Sequence, residues 1–382
     1  MPFARRLLSV LALVLLSLAP ARATPMLLVD MDNLDVLYAQ EAGQPWHPAS
    51  LTKMMTAYVA FEQIAAGAVS LDTPVVISKH AFSQAPSKSG LAQGSALSLE
   101  DALYVMLVKS ANDIATAIAE TVGGNEASFV ALMNDAATRM GLTATHYVNA
   151  NGLHDAGQVT SARDQAILGL YIRQNFPQYL PIFGTSTVVL NGKKLDSENK
   201  LLTSFAGTTG MKTGFVCASG LNLVATVERQ GRHLMAVILG GSSARERNER
   251  TAELVLRGLS NTVAPAGQTV LSLANNPGAA PVDMRSLICG KEAKTYAAAQ
   301  EAAFPMGMKG QPSYLNDTIA VASRVVTDLG RIAVGVSLPR PRPSHAPIYA
   351  QGTDITTSGE LRPGLATPPI SAIPYPRPRP NF

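Results

Sequence analysis

Ser50 and Lys53 stand three residues apart in Pro48-Ala49-Ser50-Leu51-Thr52-Lys53. Positions i and i+3 share a helix face, so a hydroxyl and an amine spaced this way can reach hydrogen-bond distance. A serine becomes a useful nucleophile when a neighbouring base takes its proton, and lysine is such a base only where burial or another cation keeps it neutral. A helix N-terminus adds unpaired N–H groups that favour negative charge on a reacting oxygen. The spacing alone is weak evidence. At average residue usage it arises about once in a chain of this length, and Ser197-Glu198-Asn199-Lys200 matches it too. Context separates the two: Leu51, Met54, Met55, Tyr58, Phe61 and Ile64 after Ser50 predict an amphipathic helix, whereas Ser197 lies in a polar run behind Asn191-Gly192.

Two further signals follow in order, Ser110-Ala111-Asn112 and Lys212-Thr213-Gly214. The pattern around them predicts how they are carried. Ser98-Leu99-Glu100-Asp101 reads as a helix cap, and a second helix runs from Asp113 to a stop at Gly123-Gly124. Ser110 and Asn112 therefore fall at a junction between helices. Helices are also expected over Glu126 to Met140, Ala162 to Gln174 and Glu246 to Leu259, with Asn191-Gly192 turning a hairpin. Met26–Asp30 and Val36–Gln40 read as strands, as do the segments around Lys212, Leu221–Glu228 and Leu234–Leu239. The expected fold is α/β (α+β), one antiparallel sheet built from both ends of the domain, flanked by helices, with a helical subdomain inserted.

The 382 residues suffice for two domains, and 47% hydrophobic content permits a proper core. Residues 1–23 read as a signal peptide: Arg5 and Arg6, an apolar run from Leu7 to Leu18, then Ala21-Arg22-Ala23. The run is too short to span a bilayer, which predicts an exported protein of the periplasm or cell envelope. The chain carries +4, yet the leader holds three arginines and no acid, and the tail from Pro339 holds five arginines against two acids; residues 24–338 are left at −2. Nothing in that balance favours nucleic acid. Residues 339–382 contain 11 prolines, a composition expected to be extended or disordered, either a spacer or a cationic arm. Residues 24–260 are expected to form the catalytic domain, and 261–338 give no clear fold. Cys217 and Cys289, an even pair in an exported chain, are disulfide candidates. The six histidines show no paired ligand spacing, and phosphate-loop and dinucleotide fingerprints are absent, so neither metal nor cofactor is expected.

The three signals, in this order and these contexts, resemble the serine-type D-alanyl-D-alanine carboxypeptidases, the low-molecular-mass penicillin-binding proteins. The likeness runs from about Thr24 to Leu259. It implies a groove where the signals meet, peptidoglycan stem peptides as substrate and β-lactams as covalent inhibitors. By that resemblance Ser50 is the nucleophile, Lys53 its base, Ser110 a proton relay, and Asn112 the side chain holding Lys53 and substrate. Lys212 would be a cation in the substrate groove that biases the local proton arrangement, and Thr213 and Arg247 would engage the terminal carboxylate. Gly214 would let substrate approach closely, and the backbone N–H groups of Ser50 and Phe215 would form the oxyanion hole. Arg245 and Arg250 rival Arg247. Many relatives carry a small β-domain and an amphipathic membrane helix; this chain shows neither pattern, which leaves membrane attachment open. Three other readings share the motifs: a β-lactamase, disfavoured because Glu198-Asn199 is adjacent rather than spaced; a D,D-endopeptidase; and a silent peptidoglycan-binding protein.

Overall fold

The computed structural model describes residues 24–260, 266–276 and 278–332. The leader and the proline-arginine tail lie outside the described residues.

Strands β1 (Met26–Asp30) and β2 (Val36–Gln40) form a hairpin whose turn is held by Asn33, its side-chain oxygen accepting from the Asp35 N–H. A 3-10 turn over Ala49–Leu51 then runs straight into α1 (Thr52–Ala65). The helical block follows: β3 (Pro74–Val76), α2 (Lys79–Ser83), β4 (Ala96–Ser98), α3 (Leu99–Val108), α4 (Asn112–Gly123), α5 (Glu126–Arg139) and α6 (Ala162–Asn175). Ser98, Asn125 and Ser161 cap their helices, each side chain accepting an N–H three residues on. After α7 (Leu180–Gly184), strands β5 (Thr187–Leu190) and β6 (Lys193–Asp196) turn at Asn191-Gly192, both with positive φ. Then come α8 (Leu201–Ser204), β7 (Thr208–Val216), β8 (Gly220–Arg229), β9 (Arg232–Gly241) and α9 (Ala244–Leu259).

The main sheet has the order β2-β1-β9-β8-β7 and is antiparallel throughout. Alternate residues of β1 serve different cores: Leu27 and Val29 pack with α1 and α6, while Leu28 packs with Ala252 and Val255 of α9. Side chains alternate across a strand, so a sheet buried on both faces reads as a continuous apolar run.

The structure corrects the amphipathic reading of α1. Eleven of its fourteen residues are buried, including Thr52, Lys53, Thr56 and Glu62. A helix enclosed on all sides must satisfy its polar groups internally. Thr56 donates to Ala150 O at 2.6 Å, Gln158 Nε2 donates to Thr52 Oγ1 at 3.1 Å, and Arg139 forks onto Glu62.

Beyond α9 the described chain stays on this body. Arg163 donates to Leu271 O and Leu273 O, and Cys289 is disulfide-bonded to Cys217 across 72 residues. Short helices α10 (Arg285–Ile288) and α11 (Ala293–Ala303) follow that order of attachment. Strand β10 (Ser323–Val326) then pairs parallel with β5, placing Val326 in the main core. Among the described residues no helix is long and apolar enough to cross a membrane.

Candidate active site

Ser50 is delivered by the 3-10 turn, and Lys53 lies one turn further on at the start of α1. Lys53 is fully buried, with its Nζ 3.0 Å from Ser50 Oγ, 2.7 Å from Asn112 Oδ1 and 2.5 Å from Asn151 O. The two oxygens of Asn112 and Asn151 can only accept. A neutral amine has two N–H bonds and one lone pair, so satisfying both acceptors turns the lone pair toward Ser50 Oγ. Electrostatics agree with that protonation state. Burial holds the Lys53 pKa well below the ordinary lysine value, Lys212 lowers it further, and Asp113 opposes them.

Asn112 opens α4, and its own bonds fix the acceptor. Its N–H donates to Ser87 O at 2.8 Å and its Nδ2 to Ala85 O at 2.9 Å, leaving Oδ1 for Lys53. Ser110, in the junction between α3 and α4, has φ 61, a left-handed conformation that costs a non-glycine residue on the order of 1–3 kcal/mol. Its hydroxyl accepts from Lys212 Nζ at 3.0 Å, joining the second signal to the third. Lys212 also donates to Thr213 O at 2.9 Å. Burial, then the nearby Arg247, brings the Lys212 pKa down to about 7, with Glu198 opposing.

Strand β7 is the sheet edge, and Gly214 sets how close it comes to the Ser50 turn. A Cβ there would meet Pro48 O at 2.9 Å and Ser50 N at 3.2 Å. This corrects the expected reason for the glycine: the missing side chain admits the Ser50 turn itself, rather than substrate in the groove. Thr213 is nearly buried, whereas Phe215 stands 51% exposed.

Arg247 is buried at the start of α9, donating to Asn248 Oδ1 and to Glu198 O. Burial lowers its pKa to about 10, so it remains charged at neutral pH beside Lys212. The rivals are engaged elsewhere, Arg245 on Phe304 O and Met306 O and Arg250 on Glu246. The decoy Ser197-Glu198-Asn199-Lys200 has a supporting part, since Glu198 O holds Arg247 and Asn199 Nδ2 donates to Gly210 O at 3.3 Å.

Three residues escaped the sequence reading. Asn151 offers its carbonyl to Lys53, and its side chain is pinned by Gln84, Thr116 and the Leu153 N–H. Gly152 beside it has φ +86, and a Cβ there would lie 2.0 Å from Ala49 O. Asn222 ties the Ser50 turn to the sheet, donating to His47 O and Pro48 O while accepting from Gly240 N. Asn is depleted in strands, so a buried one inside β8 was the available signal. Among the described residues no cluster of His, Cys, Asp or Glu could hold a metal ion.

Comparison with known proteins gives the same picture. Residues 16–243 match the family model described as D-alanyl-D-alanine carboxypeptidase. D-alanyl-D-alanine carboxypeptidase DacC of Escherichia coli is 33% identical over 248 residues, covering 63% of this chain and 62% of that one, so the chain spans under two thirds of this relative's length. Among solved structures, the D-alanyl-D-alanine carboxypeptidase DacD of Francisella tularensis superposes with a TM-score of 0.61 at 28% identity, covering 63% of this chain and 72% of its own. Penicillin-binding protein D2 of Listeria monocytogenes, in its cefotaxime-bound form, gives 0.57 at 30% identity, with 62% and 97% covered. With more than half its length matched by that model, the chain belongs to the D-alanyl-D-alanine carboxypeptidase family.

Proposed function

We propose that this protein is a serine D-alanyl-D-alanine carboxypeptidase that removes the terminal D-alanine from peptidoglycan stem peptides in the periplasm or cell envelope, and that β-lactams acylate it. The observation that carries the proposal is the buried Lys53 amine, whose two acceptor-only neighbours direct its lone pair at Ser50 Oγ. The family match and the antibiotic-bound relative support the reaction class. In this reading residues 24–260 are the catalytic domain.

Lys53 takes the Ser50 proton as Oγ attacks the carbonyl of the penultimate D-alanine. The negative charge that develops on that carbonyl oxygen is met by the N–H groups of Ser50 and Phe215, donors already in position before the charge forms. As the tetrahedral adduct collapses, the C–N bond breaks and the proton passes through Lys53 and Ser110 to the departing D-alanine nitrogen. Lys212, Thr213 and Arg247 supply the charge-assisted contacts suited to a free C-terminal carboxylate. Water then repeats the sequence on the acyl ester, with Lys53 again as base, and frees Ser50.

The test is release of D-alanine from a peptide ending in D-Ala-D-Ala, run beside a crosslinked dimer and labelled penicillin. D-alanine release with a Ser50-dependent penicillin label supports the proposal. Cleavage of the crosslink alone would favour an endopeptidase, and neither activity nor label would leave only a binding protein.

A further inference from the structure

Asp113, next to Asn112 on the first turn of α4, is a buried carboxylate that takes no part in the proton transfers between Ser50, Lys53 and Ser110. All its direct contacts are to neutral donors. Oδ1 accepts the N–H groups of Ser89 and Ile114, each at 3.0 Å, and Oδ2 accepts the Ser89 hydroxyl at 2.7 Å. That hydroxyl accepts in turn from the Leu91 N–H at 3.1 Å. A buried charge is ordinarily paired with an opposite one. The cation Asp113 acts on is Lys53, whose pKa it raises against burial and Lys212.

Asp113 also holds the segment that holds the lysine's acceptors. Ala85 O and Ser87 O fix Asn112 through its Nδ2 and its N–H, at 2.9 and 2.8 Å, and Gln84 Oε1 accepts from Asn151 Nδ2 at 3.0 Å. Residues 84–89 thus orient both groups that receive the N–H bonds of neutral Lys53, and the Ser89 end of the segment is pegged to Asp113. Among the described residues, charge reaches Lys53 from two directions, Lys212 on β7 and Asp113 on α4. The other charges around it are engaged elsewhere. Arg139 of α5 forks onto Glu62, the other ionisable side chain of α1, and Arg163 and Asp164 of α6 pair with each other at 2.8 Å. Lys88, the sole charge in residues 84–91, donates to Phe82 O at 2.6 Å, and Glu198 and Arg247 act on Lys212.

We infer that Asp113 is a positioning residue of the acylation step: its carboxylate is the fixed countercharge for the Lys53 ammonium that forms as Ser50 gives up its proton, and its bonds to Ser89 peg the segment that aims the amine. In that step the Oγ–H bond breaks and its proton goes to the Lys53 lone pair, while the Oγ–C bond forms and the carbonyl π pair moves onto oxygen. The step creates one cation and one oxyanion. The N–H groups of Ser50 and Phe215 meet the anion, and Asp113 meets the cation without taking the proton itself. The inference rests on the carboxypeptidase reading for the role of Lys53.

The experiment follows labelled-penicillin acylation of the full chain from about pH 5 to about pH 10. Asp113→Asn keeps an oxygen for the Ser89 and Ile114 N–H groups and removes the charge. Its acid limb should move down by about one pH unit, opposite in sign to removal of the Lys212 cation, and its plateau should fall about three- to tenfold, the loss that follows a weaker base. Asp113→Glu retains the charge and should keep the wild-type midpoint. Ser89→Ala retains the charge and loosens the peg, so it should lower the plateau about tenfold at an unmoved midpoint. An acid limb that stays in place or moves up in Asp113→Asn would overturn the inference. Where that variant does not fold, a displaced midpoint in Asp113→Glu or a wild-type rate in Ser89→Ala would overturn it instead. All of these leave the carboxypeptidase reading intact, whereas wild-type protein that takes no label would overturn both.

Discussion

The Lys53 amine and the carbonyl of Asn151 lie 2.5 Å apart although 98 residues separate them in the chain. That contact, with Asn112 Oδ1, consumes the two N–H bonds of a neutral lysine and defines where its lone pair faces. The reactivity of Ser50 therefore depends on a backbone oxygen as well as on three side chains.

Replacing Lys53 by arginine keeps a long cationic side chain that cannot give up its proton. Lys53→Arg should slow labelled-penicillin acylation on the order of 10³-fold, the usual loss when a general base is removed. Ser50→Ala should abolish the label. Stopped-flow acylation checks both, and near-normal incorporation in Lys53→Arg would remove Lys53 from the role of base.

Acidification must protonate Lys53, so acylation should fall on the acid side of a midpoint well below the ordinary lysine range. Lys212 is one cause of that depression. Removing its charge in Lys212→Gln should raise the Lys53 pKa and move the acid limb to higher pH. Acylation rates from about pH 5 to about pH 10 read the shift; an unmoved limb would contradict the coupling.

The same lysine carries a stability signature. Burial, then Arg247, brings the Lys212 pKa down to about 7 in the folded protein, against 10.5 for an ordinary lysine. Below about 7 both states hold the proton and the cost of a buried cation is fully present. Between the two values only the unfolded state keeps it, so this group makes stability rise with pH across that window. Lys212→Met should accordingly raise Tm more at about pH 6 than at about pH 9, as thermal unfolding at the two pH values would reveal.

Gly214 and Gly152 hold two segments against the Ser50 turn. Gly214→Ala pushes a methyl toward Pro48 O and Ser50 N and should cost about 1–3 kcal/mol, with acylation reduced on the order of 10²-fold through displacement of β7. Gly152→Ala adds a positive φ to a 2.0 Å clash and should be the more destabilising of the two. Denaturant unfolding gives the order, and the reverse ranking would count against it.

Loss of the Cys217–Cys289 bond, which closes a separation of 72 residues, should destabilise by about 4 kcal/mol on the chain-entropy account. Cys217→Ser with Cys289→Ser, compared with wild type under oxidising conditions, measures it. A loss of unfolding free energy below about 1 kcal/mol would mean that the extension is held chiefly by its other contacts.

What was readable in the sequence was whatever carried a local signature. Period and caps gave α3, α4, α5, α6 and α9 but not α7, α8, α10 or α11, Asn191-Gly192 gave its hairpin, and three short motifs gave Ser50, Lys53, Ser110, Asn112 and Lys212. Partners brought by long-range packing left weaker traces. Asn151 acts through its main chain, which any residue could supply, so its identity said nothing about Lys53. Gly214 was picked out, yet its purpose depends on the turn packed against it. The buried environment of α1 was also hidden, because its polar residues find partners in segments 59 to 106 positions away. The segment after Leu259 has little periodicity of its own because it is laid onto an existing body strand by strand, through Leu271, Leu273 and β10.

The sheet order β2-β1-β9-β8-β7 has a consequence in time as well as in space. The first hairpin has no further strand to pair with until residues 232–241 exist, and the serine has no flanking edge until 208–216 exist. A nascent chain, growing from its N-terminus, thus carries a dormant hydroxyl for most of its synthesis. Competence comes late, when β9 pairs with β1 and β7 comes to lie against the Ser50 turn.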